Sequence, residues 1–150
     1  MGEAANDHDT CVITIEEAPD AEDVRAIEAG LEAYNSLYAP PLNYRPLTIT
    51  LRTADGTLVG GLLGETYWSW LYVRILWLDE HVRGQGYGSR LLAQAEEEAV
   101  RRGCHRAHLD TMSFQALSFY ERHGYTVFGV LHDVPPGHSR YSLQKELQAE

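Results

Sequence analysis

Apolar and polar positions along the first half of the chain predict a series of β-strands. Residues 11–15 are a short apolar run, and residues 47–51 alternate apolar with polar side chains before a turn at 54–57. Residues 58–63 return from that turn, and glycines within this strand suggest a bulge or a close backbone approach. Residues 68–78 are rich in aromatic and β-branched side chains, which predicts a third strand. Three strands joined by short turns predict an antiparallel meander, which argues against a doubly wound fold of alternating strands and helices.

Two stretches have the three- and four-residue apolar spacing of amphipathic helices. The first follows Asp20, which suits an N-cap, and we expect burial of its stripe, Val24, Ile27, Leu31 and Tyr34. The second runs from about residue 86 to 102 before Gly103, with a stripe of Leu91, Leu92, Ala95 and Ala99. Later strands are predicted at 105–110, 125–130 and 140–145. The order strand, helix, strand predicts a right-handed parallel crossover.

The turn between the third strand and the second helix reads Arg83-Gly84-Gln85-Gly86-Tyr87-Gly88-Ser89. Glycine at every second position lets a ligand approach the backbone, and the start of a helix offers unpaired N–H groups. No acidic residue lies between Arg83 and Leu92. The turn therefore predicts a phosphate site. It lacks the lysine of a Walker loop and the third glycine of the dinucleotide fingerprint.

Composition sets the outer limits of the prediction. The 150 residues are 44% apolar and suit one domain over 1–150, with residues 1–10 as a flexible tail. A net charge of −10 argues against a nucleic-acid surface, and no apolar run suits a membrane span or a signal peptide. We expect two reduced cysteines and a cytoplasmic protein. The pair His105 and His108 lacks a third ligand at useful spacing, so no metal site is predicted.

A family resemblance rests on two motifs that occur in the right order. The first is Arg83-x-x-Gly86-x-Gly88, and the second runs from Ser113 to Tyr125, where the matching positions are Ala116, Phe119, Tyr120, Gly124 and Tyr125. Together they resemble the GNAT N-acetyltransferase superfamily. Ser113 stands where the family pattern has asparagine. Residues 110–116 with Gly137-His138 are similar to a small bacterial subgroup of that superfamily.

The resemblance implies an α/β fold with a mixed, mostly antiparallel sheet of about six to seven strands and helices on both faces. It also implies that acetyl-CoA is the cofactor, with the pantetheine arm in a gap between two parallel strands. The residues that it assigns to the cofactor are Leu76, Trp77, Leu78, Arg83, Gly84, Gln85, Gly86, Tyr87, Gly88, Ser89, Ser113, Phe119 and Tyr120.

By the same resemblance, Tyr120 is the general acid that protonates the leaving thiolate, since a phenol can donate a proton at neutral pH. The candidates for the general base are Asp110 and Glu65, with a water relay as the alternative. The expected acceptor pocket comprises Tyr38, Tyr44, Trp68, Trp70 and Tyr72. Strand alternation predicts that Trp68, Trp70 and Tyr72 share one face and that Tyr67 lies on the other. The same aromatic residues also suit a core or a dimer seam.

The sequence thus favours an N-acetyltransferase that uses acetyl-CoA and a small-molecule or peptide amine, with no nucleic-acid or membrane partner. One alternative is a catalytically weak or inactive module that binds acyl-CoA as a sensor or scaffold. Another is a nucleotide-binding domain, which the near match to a dinucleotide loop leaves open. The resemblance also allows a homodimer. The identity of the amine and the oligomeric state stay undecided at this point.

Overall fold

The computed structural model describes residues 10–148. In chain order the elements are α1 (Ala21–Asn35), β1 (Arg45–Arg52), β2 (Leu58–Tyr67), β3 (Trp70–Leu78), a 3₁₀ turn (Glu80–Val82), α2 (Tyr87–Arg101), β4 (Arg106–Met112), α3 (Leu117–Arg122), β5 (Thr126–His132) and β6 (Ser139–Glu146). Contacts between Cα atoms divide the chain after Pro40 into two compact units. Among the described residues, no helix is long and apolar enough to cross a membrane.

The first unit holds α1 as its single regular element within residues 10–40. The Asp20 carboxylate accepts a hydrogen bond from the Glu22 N–H at 2.9 Å, so the predicted N-cap is confirmed. The strand predicted at 11–15 is wrong, since these residues form no regular element and their apolar side chains are exposed. A strand needs partners for its N–H and C=O groups, and the described part of this unit has no second strand.

The apolar stripe of α1 is also exposed, which contradicts the expected burial. The described residues of this unit include no second element that could cover the stripe. The predicted flexible tail, residues 1–10, lies outside the described residues except for Thr10. That residues 1–150 form one domain stays a prediction.

The strands of the second unit form one mixed sheet in the order β1–β2–β3–β4–β6–β5. Neighbouring strands are antiparallel except β3 and β4, which run parallel. The predicted meander and the predicted parallel pair around the glycine loop are therefore confirmed. Within the described residues the sheet has six strands and is mostly antiparallel, as the resemblance implied.

A two-residue turn at Trp68 and Ser69 joins β2 to β3. Both residues have positive φ, 43° and 61°, although neither is glycine. Tyr67 pairs with Trp70 across this turn, so the two side chains lie on the same face of the sheet. The prediction that Trp68 belongs to the strand and that Tyr67 faces away from Trp70 is wrong, because the chain reverses at this turn and residues paired across antiparallel strands share a face.

The hydrophobic core lies between α2 and one face of the sheet. The predicted stripe of α2 is buried at all four positions, Leu91, Leu92, Ala95 and Ala99. It packs in a cluster with one fully buried leucine from each of four strands, namely Leu62, Leu71, Leu109 and Leu143. Because strand side chains alternate, Glu65, Tyr72 and His108 lie on the opposite face.

Candidate active site

A gap opens between β3 and β4, the two parallel strands. Their pairing runs from Trp70 and Arg106 to Val73 and Leu109 and then stops, although both strands continue. Beyond that point a cleft of about 600 Å³ is lined by β3, by Arg83 and Gly88, and by the segment from β4 to α3. The backbone of residues 76–78 therefore pairs with β2 on one side and faces the cleft on the other. This is where the resemblance places the pantetheine arm.

A β-bulge in β3 lies where the gap begins. Gly64 pairs with Val73 and Leu63 pairs with Ile75, so Arg74 is the extra residue. A side-chain carbon at Gly64 would overlap the carbonyl oxygen of Tyr72. Glycine in β2 thus permits the close backbone approach at the bulge, as the glycines in this strand suggested. The bulge bends β3 at the last rung that it shares with β4.

The glycine loop has the geometry of an anion site. Gly84 and Gly86 have positive φ, and Gly86 precedes the first residue of α2 with no side-chain cap. The N–H groups of the first helical turn consequently have no partner within the helix. That turn contains no acidic residue. Backbone donors and the positive end of the helix dipole therefore favour a phosphate group at this loop.

Arg83 connects the loop to the end of β3. Its Nε donates a hydrogen bond to the carbonyl oxygen of Leu78 at 2.9 Å, and its side chain lines the cleft. This bond uses one of the guanidinium donors and leaves the terminal nitrogens for a ligand. Gln85 also braces the loop, since its amide nitrogen donates to the carbonyl oxygen of His81 at 3.3 Å.

The Ser89 hydroxyl is held by His123, a residue that the sequence reasoning missed. His123 Nδ1 donates to the Phe119 carbonyl oxygen at 2.7 Å, so in the neutral ring Nε2 accepts from the Ser89 hydroxyl at 2.9 Å. This contact joins the first turn of α2 to the C-terminal end of α3. The Ser89 N–H, and not its hydroxyl, is the group left for a ligand. His123 lies 34 residues from Ser89, so no local spacing indicates the contact.

Tyr120 lies on α3 and lines the cleft. Its hydroxyl has no hydrogen-bond partner among the described residues, and none of their fully buried polar side-chain atoms lacks one. The Tyr120 oxygen must therefore reach the cleft, although the residue is only 7% exposed. Burial raises the pKa of Tyr120 to about 12, so the phenol keeps its proton at neutral pH. The neighbouring Phe119 ring also lines the cleft.

Asp110 lines the same cleft but is tied to β6. Its carboxylate accepts hydrogen bonds from Arg140 Nη2 at 2.8 Å and from the Ser142 hydroxyl. Burial raises the pKa of Asp110, but the bonds from Ser142 and Arg140 and the Arg140 charge outweigh burial and leave the pKa below its usual value. A carboxylate held in this way has a lowered proton affinity, which weakens it as a base.

Glu65 lies on the sheet face opposite α2 and accepts a hydrogen bond from the Tyr44 hydroxyl at 2.8 Å. That hydrogen bond, followed by burial and the Glu65 charge, raises the pKa of Tyr44. Within the part of the chain that is described, Glu65 is not among the residues that line the cleft. It pairs with Tyr72 across the strands, one rung from the bulge.

His108 is the centre of the aromatic residues predicted for the acceptor pocket. Its Nε2 lies 2.7 Å from the Tyr67 hydroxyl oxygen. Its ring stacks on the Tyr72 ring with 4.7 Å between the ring centroids, and it meets the Trp70 ring nearly at right angles with 5.5 Å between the centroids. The sequence analysis gave His108 no site role. The signal available was its alternation with Asp110, which places both on one face of β4. Tyr38 lies in the other unit, where its ring contacts Tyr34.

Ser113 is engaged with the loop before β6. Its N–H donates to the Ser139 carbonyl oxygen at 2.8 Å, and its hydroxyl accepts from the Ser139 N–H at 3.1 Å. The next two residues, Phe114 and Gln115, line the cleft instead. Gln115 also accepts a hydrogen bond from the Met112 N–H at 2.8 Å, which fixes the end of β4. A cofactor contact by Ser113 stays a prediction.

Comparison with known proteins agrees with this geometry. Residues 14–125 match the model of the acetyltransferase (GNAT) family. The chain is 44% identical over 131 residues to an acetyltransferase of Agrobacterium fabrum, covering 87% of this chain and 96% of that protein. It is 43% identical over 112 residues to a blasticidin-S acetyltransferase of Streptomyces morookaense, covering 72% and 82%. A crystal structure of an Agrobacterium tumefaciens acetyltransferase matches with a TM-score of 0.83 at 43% identity, covering 91% of this chain and 99% of that one. This chain therefore belongs to the GNAT family of acetyltransferases.

Proposed function

We propose that the protein transfers the acetyl group of acetyl-CoA to a primary amine, which attacks directly in a ternary complex. The observation that carries this proposal is the Tyr120 hydroxyl, which reaches a cleft that the first turn of α2 also borders at Gly88. One cavity is thus lined both by the start of α2, whose N–H groups suit a phosphate, and by Tyr120, a proton donor. Family membership supports acetyl transfer, and the amine acceptor and the mechanism are our proposal.

The residues at the cleft fit the donor. The loop N–H groups from Gly84 to Ser89 and the terminal nitrogens of Arg83 would hold the pyrophosphate. The free edge of β3 at residues 76–78 would pair with the pantetheine arm as an added strand does. An N–H group of that edge would also donate a hydrogen bond to the thioester carbonyl oxygen, on which negative charge develops as the amine attacks.

Acetyl-CoA supplies a thioester: the amine nitrogen forms a bond to its carbonyl carbon, the carbon–sulfur bond breaks, and CoA leaves as a thiolate. Tyr120 donates its phenolic proton to the departing sulfur and regains one from solvent. The raised pKa of Tyr120, about 12, ensures that this proton is present throughout the neutral range.

The amine must lose a proton before or during attack. An alkyl amine with a pKa near 10.4 is neutral in only about one molecule in 2,500 at pH 7. Asp110 and Glu65 remain base candidates, but Asp110 is bound by Arg140 and Ser142, and Glu65 is bound by Tyr44. We therefore propose a water relay that ends on one of these carboxylates. A bound water can bridge groups that do not touch.

A small-molecule amine is the acceptor class that we propose first. The support is the relative named blasticidin-S acetyltransferase, which is similar over 72% of this chain. Peptide amines form the second class for testing. A homodimer and a cytoplasmic location stay predictions from the sequence.

Two measurements test the proposed function. Thermal unfolding with acetyl-CoA, CoA, NAD and ATP tests the loop: a ligand at 100 times its Kd stabilises by about 2.7 kcal/mol, or roughly 5–10 °C at this size. Thiol release with a panel of amines then tests transfer. Stabilisation by CoA without thiol release from any amine would favour the sensor or scaffold. Stabilisation by NAD or ATP alone would favour the nucleotide-binding alternative.

A further inference from the structure

Arg74 is a cation that lines the cleft and has no hydrogen-bond or ion-pair partner among the described residues. It is the extra residue of the β3 bulge, its side chain is exposed, and it lines the cleft. It makes no hydrogen bond or ion pair with any residue from 10 to 148. Within residues 10–148 its charge acts at longer range on the Tyr44 phenol, whose pKa it lowers against the larger effect of Glu65.

The carboxylates near Arg74 are already engaged elsewhere. Asp110, which lines the same cleft, bonds to Arg140 at 2.8 Å and to Ser142. Glu65, which pairs with Tyr72 two residues before Arg74, accepts a hydrogen bond from the Tyr44 hydroxyl at 2.8 Å. Neither lies within ion-pair distance of Arg74. The guanidinium donors are therefore left for a ligand that occupies this end of the cleft.

The position of Arg74 separates it from the phosphates of the proposed donor. It lies four residues before Leu78, the residue that contacts Arg83, which corresponds to about 13 Å along a strand. Arg83 and the glycine loop thus serve the phosphate end. Arg74 comes before the backbone edge at 76–78 along β3 and directly follows the last rung shared with β4, Val73 and Leu109. The acceptor would bind at this end of the cleft, away from the phosphates.

We propose that the acceptor amine carries an anionic group, a carboxylate or a phosphate, which the Arg74 guanidinium binds. This inference rests on the proposed function, because it assigns the acceptor end of the same cleft. A guanidinium can form bidentate hydrogen bonds with a carboxylate or a phosphate, and these bonds select for the negative charge and fix the orientation of the bound molecule. Arg74 then determines specificity: it binds the acceptor and takes no part in the bond-making step.

The test compares acceptors that differ in one charge. Thiol release gives kcat/KM for ω-amino carboxylates of increasing length, for ω-aminoalkyl phosphates and for the matching uncharged carboxamides. The proteins are wild type, Arg74→Gln, Arg74→Lys and the control Arg122→Gln, which alters an exposed arginine of α3 outside the cleft lining. Because each carboxamide is measured in every protein, intrinsic differences in amine reactivity cancel.

We expect wild type to favour one anionic series over its carboxamides by at least about tenfold, the size of one charge-assisted hydrogen bond. Arg74→Gln should abolish this preference through KM, Arg74→Lys should keep part of it, and Arg122→Gln should keep all of it. The series that responds, carboxylate or phosphate, identifies the anion. Equal kcat/KM for charged and uncharged acceptors in wild type, or an unchanged preference in Arg74→Gln, would overturn the inference.

Failure of the proposed function gives a different result. If no amine releases thiol, thermal shifts by the same amines in the presence of CoA test Arg74 independently of turnover. A shift with the anionic amines that Arg74→Gln abolishes supports the anion site. No shift in wild type overturns it.

Discussion

Replacing Tyr120 by phenylalanine removes the proposed acid and keeps its buried ring. With a pKa of about 12, the Tyr120 phenol is fully protonated at neutral pH, so the substitution removes a proton donor that is always present. General acids contribute roughly 10²–10⁴-fold to turnover. We expect kcat to fall at least about tenfold, and about 100-fold where protonation of sulfur limits turnover, which is about 2.7 kcal/mol of transition-state stabilisation.

The same variant should remain folded and should bind the donor. The Tyr120 hydroxyl has no partner among the described residues, so its loss leaves no buried group unsatisfied. We therefore expect the free energy of unfolding to change by less than about 1 kcal/mol, and acetyl-CoA affinity to stay within about threefold. Thiol release at saturating substrates gives kcat. Urea unfolding and thermal shift with acetyl-CoA give the other two quantities.

Tyr125→Phe is the matched control. Tyr125 lies in the core, outside the cleft lining, and its hydroxyl donates to Glu96 at 3.2 Å. Losing this bond should cost roughly 1–2 kcal/mol of stability and leave kcat within about twofold. The opposite pattern, with full turnover in Tyr120→Phe and a large loss in Tyr125→Phe, would refute the assignment of the acid. A basic limb in the kcat profile below about pH 10 that Tyr120→Phe removes would contradict the raised pKa.

Two further substitutions test the bulge and the aromatic cluster. Gly64→Ala should lower the free energy of unfolding by roughly 1–3 kcal/mol, because the new carbon meets the Tyr72 carbonyl oxygen. The control Gly30→Ala, which adds its carbon in open space on a helix, should not lower it. Equal urea midpoints for the two variants would contradict the argument. His108 has a pKa lowered by burial, with Asp110 and Glu65 opposing, so the unfolded chain binds its proton more readily. The stability that neutral His108 contributes should be complete above about pH 6.5 and should decrease as the pH drops toward the lowered pKa. The urea midpoint of the wild type should therefore fall between about pH 7.5 and 5.5, and it should fall less in His108→Gln. An unchanged pH dependence would show that His108 does not carry it.

Local patterns predicted the parts of the fold that depend on nearest neighbours. The α2 stripe at Leu91 and Leu92, the alternation at 47–51 and the glycine loop each have their signal within one turn or one hairpin. The parallel pair followed from the order strand, helix, strand, because a crossover has few solutions. The gap between β3 and β4 came from the family resemblance, since no residue type marks where two strands separate.

Contacts between distant residues were outside the reach of these patterns. His108 meets Tyr67 across 41 residues, and His123 meets Ser89 across 34. The turn at Trp68 and Ser69 carries positive φ without glycine, so its sequence resembles a continuing strand. Residues 11–15 have strand propensity but no partner strand among the described residues of their unit, which shows that propensity alone does not make a strand.

The distribution of charge explains how an acidic chain can suit a polyanionic donor. The net charge is −10, yet the first turn of α2 has no acidic residue, and Asp79 beside the loop bonds to His81 at 2.7 Å. At physiological salt the Debye length is about 8 Å, so carboxylates farther away than this are screened. In the proposed complex the loop N–H groups and Arg83 would act on the donor at contact distance, where screening is weak. Donor binding should therefore depend on the geometry of the glycine loop more than on the net charge. The uncompensated Arg74 extends the same argument to the acceptor end of the cleft.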